Sequence, residues 1–219
     1  ARPIPQVRAG FIDFVDIPFT KGWVQIKGEL AYGKFMDNDF LRDHYNYYNQ
    51  YITTDALYHH KSISFRSNPD KPFVVTIGAE LAAQFGGTKR YYEKGILIDS
   101  LTMKSPTRLK DFFKILFPSS GDGQTNEGDQ AYYYGNHVGQ WNLSAEYRFK
   151  DNSSVRGYFE WYFDDASGMG KFNGWDGLWG LEYKSGKKNW LSNVVLEYLD
   201  MTNQSGPLNW CPSDYNDPK

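Results

Sequence analysis

The sequence predicts an all-β fold, an antiparallel up-and-down sheet of barrel type with one short helix in a long loop, and three observations carry that prediction. One run, Phe73 to Phe85, alternates strictly between an apolar and a polar face. Further runs repeat the alternation, to about eight strands in all. The connections between them are short and long by turns along the chain.

In the first of these runs Phe73, Val75, Ile77, Ala79, Leu81, Ala83 and Phe85 share one face, and Val74, Thr76, Gly78, Glu80, Ala82 and Gln84 the other. That is the period of a strand. At about 3.3 Å per residue it reaches roughly 40 Å, beyond an ordinary globular strand of about 5–6 residues and enough for a tilted bilayer crossing of about 9–11. A soluble sandwich also makes an apolar face, but seldom over such a length.

In chain order, Gln6 to Ile17 is strand-like and Pro18 to Gly22 turns it. Trp23 to Phe35 alternates Val24, Ile26, Gly28, Leu30 and Tyr32 against Gln25, Lys27, Glu29 and Ala31. Met36 to Asp55 loses the period and reads as a polar, Tyr-rich loop. Leu57 to Arg66 resumes it, although His59 and Lys61 fall on the apolar side, where long side chains near an interface can snorkel. Ser67 to Pro72 is a tight turn into Phe73–Phe85. From Gly86 to about Gly139 the chain reads as irregular, except that Ser105-Pro106 resembles a helix cap and first position ahead of Leu109, Phe112, Phe113 and Leu116. The apolar side of that helix is expected on the rim or in the lumen of a barrel, with contact to a membrane surface as the alternative. Gln140 to Lys150 and Val155 to Asp164 form a hairpin around Asp151-Asn152-Ser153. Trp175 to Lys184 and Trp190 to Thr202 form another, in which Val195 and Leu199 share a face with Asn193 and Glu197.

Composition narrows the class. No apolar run approaches the roughly 18 residues of a spanning helix, so strands are the only candidates for crossing a bilayer. A mean hydropathy of −0.64 is compatible with that, because half of each barrel strand faces a polar lumen. The chain is 18% aromatic, with 17 Tyr and 7 Trp among its 219 residues, and its one cysteine, Cys211, excludes an intramolecular disulfide framework. With 24 basic and 26 acidic residues there is no charge reason to expect nucleic acid. Short turns on one side and long loops on the other are the asymmetry of outer-membrane barrels, and a Greek-key sandwich has no reason to keep it. Asn209 to Lys219 reads as polar loop rather than a closing strand, so the single domain, 1–219, is expected to be an incomplete barrel that needs further strands of the same protein.

The segments Tyr58 to Gly87, Gly135 to Trp141, Asp176 to Gly186 and Leu196 to Pro207 resemble the Wzi-type capsule assembly proteins of Bacteroidota. The resemblance spans Trp23 to Pro207. It implies an outer-membrane β-barrel of roughly eighteen strands that holds capsular polysaccharide at the cell surface, lectin-like and without turnover. Such proteins are about twice this length, which again points to an internal portion.

Alternation places Lys27, Glu29, His60, Arg66, Glu80, Glu146, Arg148, Arg156, Glu160, Asp164 and Glu182 in the lumen, where a polar network is expected. Two of those carboxylates could instead serve a carbohydrate-active enzyme as acid and base. A porin would share every strand feature and differ in an open lumen. Glycan contact is expected in the long loops, from Tyr45, Tyr47, Tyr48 and Tyr51 in one and Tyr132, Tyr133, Tyr134, Asn136 and His137 in the next, since aromatic faces stack on sugar rings while amides bond hydroxyls. The same tyrosines also suit an interfacial aromatic girdle. His44, His59, His60 and His137 lack metal-ligand spacing with the cysteine, and no cofactor or catalytic motif is expected.

Overall fold

The computed structural model describes residues 4–36, 51–120, 134–164, 174–187 and 190–203. Among them the order is β1 (Gln6–Asp16), β2 (Val24–Lys34), β3 (Tyr51–Thr54), β4 (Leu57–Ser67), β5 (Phe73–Phe85), β6 (Thr88–Glu93), β7 (Ile96–Lys104), α1 (Leu109–Leu116), β8 (Asn136–Arg148), β9 (Ser154–Asp164), β10 (Gly177–Lys184) and β11 (Asn193–Asp200). One antiparallel sheet of eight strands runs β1-β2-β4-β5-β8-β9-β10-β11, and β3, β6 and β7 form a second sheet of three. The all-β expectation holds, and the strands foreseen from alternation are those of the large sheet. Among the described residues that sheet is open: β1 pairs only with β2, and β11 only with β10.

Two stretches expected to be irregular contain strands. Tyr51–Thr54 pairs with β6, and β6 pairs with β7 through the two-residue turn Lys94-Gly95. Both turn residues have positive φ, +48° and +78°, the backbone of a tight hairpin. Ile96–Lys104 mixes apolar and polar residues on both of its faces, so it carries no clean alternation to announce it.

Register assigns the faces, because opposed residues of an antiparallel pair point the same way. Ala79 opposes Ile63 and Trp141; Ile63 opposes Gly28, and Gly28 opposes Phe11. On the other side Leu143 opposes Phe159, Phe159 opposes Trp179, and Trp179 opposes Tyr198. In β11, Val194, Leu196 and Tyr198 therefore join the apolar face, and Val195 and Leu199 lie with Asn193 and Glu197 on the polar one. Phe11, Leu30, Ile63, Phe65, Phe73, Ile77, Leu143, Leu181 and Leu196 leave that apolar face exposed across the sheet. A register shift in β1 between Phe11 and Val15 marks a bulge, beside which Phe14 lies 4.1 Å from the Arg66 guanidinium.

The connection between β7 and β8 carries α1, which packs on the apolar face of the sheet and not on the polar one. Ala83, Phe85, Ile115 and Tyr134 make a buried cluster with Tyr32, Leu57 and Phe112 against it. Phe85 meets Phe112 edge to face at 5.3 Å, and the Tyr32 hydroxyl donates to the Phe112 carbonyl at 3.2 Å. Gly135 turns the chain from Tyr134 into β8 with φ +86°, and a Cβ there would meet Ile115 at 2.8 Å. Only glycine takes that backbone at that distance without strain.

This packing explains the polar residues on the apolar side of β4. His59 is fully buried under α1, its Nδ1 3.0 Å from the Ala31 carbonyl. Lys61 does not snorkel: its Nζ donates to the carbonyls of Ile115 and Leu116, each at 2.6 Å, so an ammonium sits at the negative end of the helix. The helix begins at Leu109 with Arg108 as its N-cap, later than the expected Ser105-Pro106. Asp111 takes the capping role, accepting from the Arg108 backbone N–H at 2.7 Å and from its guanidinium at 2.9 Å.

Burial would raise the Asp111 carboxyl, but the side-chain and backbone hydrogen bonds from Arg108, with the charges of Arg108 and Lys114, outweigh it and hold the group below its ordinary value. A depressed folded value contributes stability above the unfolded value of about 3.9 that is lost as pH falls through the folded one. Amide-exchange protection of α1 is therefore expected to be flat from neutral pH to about 5 and to fall below about 4. In Asp111→Ala, α1 should lose about 1.5–3 kcal/mol of protection at neutral pH, and its acid dependence should vanish. Unchanged protection would refute the cap.

Candidate functional site

The polar face holds all of Lys27, Glu29, Arg66, Glu80, Glu146, Arg148, Arg156, Glu160, Asp164 and Glu182, but as separate groups rather than one network. Arg156 reaches Glu182 at 2.9 Å, with Lys184 at 3.1 Å from the same carboxylate. Arg148 pairs with Glu146 along its own strand at 3.0 Å. Arg66 donates to Gln25 at 2.6 Å. The Tyr162 hydroxyl donates to Glu160 at 2.8 Å. Tyr158 lies across Gly180, where a Cβ would fall within its ring, and so directs its hydroxyl onto Glu197.

Towards the end of the long connections the polar face opens into a cleft of about 720 Å³, within the roughly 300–1,000 Å³ usual for small-molecule sites. Arg8, Glu29, Tyr58, His60, Glu80, Gln140, Tyr162 and Asp164 provide its functional lining. At its centre His60 bridges two carboxylates, with Nδ1 3.2 Å from Glu29 and Nε2 2.8 Å from Glu80. The pairing of β2, β4 and β5 makes this bridge, since Ser62 opposes both Glu29 and Glu80 and places His60 one pleat along the same face. Arg8 approaches Glu29 at 3.5 Å from β1. The Tyr58 ring stacks parallel to His60 at 6.5 Å.

Chemically this is a wall of hydroxyl-binding groups between aromatic rings. Carboxylate oxygens accept from hydroxyls, Arg8 and Gln140 donate, and Tyr58 and Tyr162 present apolar faces with polar tips. Of the expected network, Glu29 and Glu80 meet through His60, and Asp164 shares their cleft; the other groups lie elsewhere on the sheet. Arg8, Tyr58, Gln140 and Tyr162 were not singled out from sequence, although alternation alone puts Tyr58 and Tyr162 on the polar face.

The expected loop residues fare differently. Tyr45, Tyr47, Tyr48, Tyr132 and Tyr133 lie outside the described residues. Tyr51 is in β3, 5.1 Å from Tyr91. Tyr134 is buried beneath α1. Asn136 is exposed at the start of β8, on the polar face. His137 is 1% exposed on the opposite face, with Nε2 3.0 Å from the Tyr134 carbonyl, and so is enclosed by the α1 cluster instead of facing a glycan. Among the described residues no group of His, Cys, Asp or Glu has the arrangement of a metal site.

Comparisons with protein-family models, with curated proteins and with solved structures found no match to this chain.

Proposed function

We propose that this chain forms part of the wall of an outer-membrane β-barrel that holds capsular or other surface polysaccharide without turning it over. The carrying observation is the two-sidedness of the sheet. Exposed apolar side chains recur from Phe11 in β1 to Leu196 in β11, interrupted at β9, where Phe159 and Phe163 are buried, while the charged groups, apart from Lys61 beneath α1, lie mostly on the other face. Apolar patches of that extent mark surfaces covered by something other than water. Aromatic residues gather near the short turns, with Trp23, Phe73, Tyr147, Phe149 and Tyr183 exposed there, as in an interfacial girdle. The open edges of β1 and β11 call for further strands before the wall can stand in lipid. These features agree with the resemblance to the Wzi-type proteins.

Binding rather than catalysis is favoured by His60, which occupies the space between Glu29 and Glu80 where a scissile glycosidic oxygen would have to sit. The test is extraction of the full protein from cell envelopes, followed by cosedimentation with capsular polysaccharide purified from the same cells. A detergent-requiring protein that retains the polysaccharide is the expected result. A protein soluble without detergent overturns the membrane reading, and an inserted protein that conducts ions but retains no polysaccharide overturns the binding one.

A further inference from the structure

We propose that the groove beneath the C-terminal end of α1 seats an acyl chain of a phosphate-bearing membrane lipid, with α1 lying along the lipid–water boundary above it; this rests on the membrane reading just given. The groove, of about 480 Å³, lies on the apolar face between Leu116 and Phe117 on one side and Phe11, Leu30, Ile63 and Leu81 on the other. It is continuous with the exposed apolar band, because Phe11, Leu30 and Ile63 belong to both.

The helix supplies the second observation. Its inner side, Phe112 and Ile115, packs on the sheet, yet Leu109 and Phe113, four residues apart, are 76% and 57% exposed on its outer side, and Phe117, just past the helix end at the groove, is 69% exposed. A helix facing water on that side would gain nothing from such a stripe. Lys110 and Lys114 lie one position after Leu109 and Phe113, which gives the outer side cations beside its apolar stripe. That combination of apolar stripe and lysines is the pattern of helices lying in a bilayer interface, where phosphate is the complementary charge.

The third observation is depth. At the helix end of the groove the same sheet face carries His59 beyond it and Lys61 in its lining, the Lys61 ammonium bound to the helix carbonyls, and α1 covers both. Away from the helix, Ile63 in the groove and Phe65 beyond it are about half exposed. The helix thus sits where the face changes from one that must be shielded to one that suits hydrocarbon, which is where a lipid headgroup ends and its chain begins.

The experiment is native mass spectrometry of the full protein, released in mild detergent and titrated with phosphatidylglycerol and with diacylglycerol. Ala9→Trp fills the groove from an exposed position that lines it, and Lys110→Gln with Lys114→Gln removes the two cations. Wild type should retain phosphatidylglycerol, Ala9→Trp should lower that retention at least about tenfold with polysaccharide binding unchanged, and the lysine pair should lose phosphatidylglycerol selectively over diacylglycerol. Equal retention by the wild type and both variants overturns the proposal, as does a dimer of the chain that Ala9→Trp dissociates. A protein that never needs detergent overturns the membrane reading as well, whereas equal retention in an inserted protein removes the groove alone.

Discussion

Ile77→Arg is expected to destabilise the folded protein in a bilayer by about 2–4 kcal/mol, the cost of a charge on the lipid face of a barrel near the midplane. Ile77 sits at the middle of the apolar face, opposite Phe65 and Leu143, and is already 49% exposed. In water an exposed substitution of that kind stays within about 0.5 kcal/mol, so the size of the effect separates the two environments. Urea titration of the protein folded into phosphatidylcholine vesicles reads it directly. Ser144→Arg, on the polar face of β8, is the control and should be close to neutral. Equal losses from the two substitutions would mean that the apolar face is not turned to lipid.

Tyr58→Ala combined with Tyr162→Ala is expected to weaken polysaccharide retention by roughly tenfold or more, taking about 0.5–1.5 kcal/mol for each aromatic contact beyond its buried area. The two rings line the same cleft from β4 and β9. Neither belongs to the buried clusters under α1 or around Ala79, Leu81 and Phe163, so the sheet should tolerate the change. Binding isotherms with purified polysaccharide, alongside urea midpoints, separate lost contact from lost fold. Full retention by the double variant would move the glycan away from the cleft and back to the long loops.

His60 shows why the site was harder to read than the strands. Its position on the polar face follows from counting residues along β4. Its bridge between Glu29 and Glu80 does not, because those carboxylates lie in β2 and β5, and their meeting depends on a pairing that places both opposite Ser62. A slip of one residue in either pairing would turn one partner to the opposite face. His137 makes the same point in reverse. As a histidine beside a tyrosine run it reads as a surface ligand, yet one residue's parity puts it on the face that α1 and Tyr134 close over.

The eight strands of the large sheet, the alternation of faces and the short-long rhythm of connections were legible in the amino-acid order, since a period of two is a local property that each run carries alone. Helix α1 was legible too, from the spacing of Leu109, Phe112, Phe113 and Leu116. Its seat was not. The buried His59 and the helix-capping Lys61 looked like flaws in an apolar face until the chain returned more than fifty residues later to cover them. The β6–β7 hairpin hid for a different reason: Lys94-Gly95 is a weak turn signal, and strands with mixed faces give no period. The seat of α1 and the His60 bridge rest on contacts between segments distant in sequence, and such contacts are settled by register and packing, which no local pattern encodes.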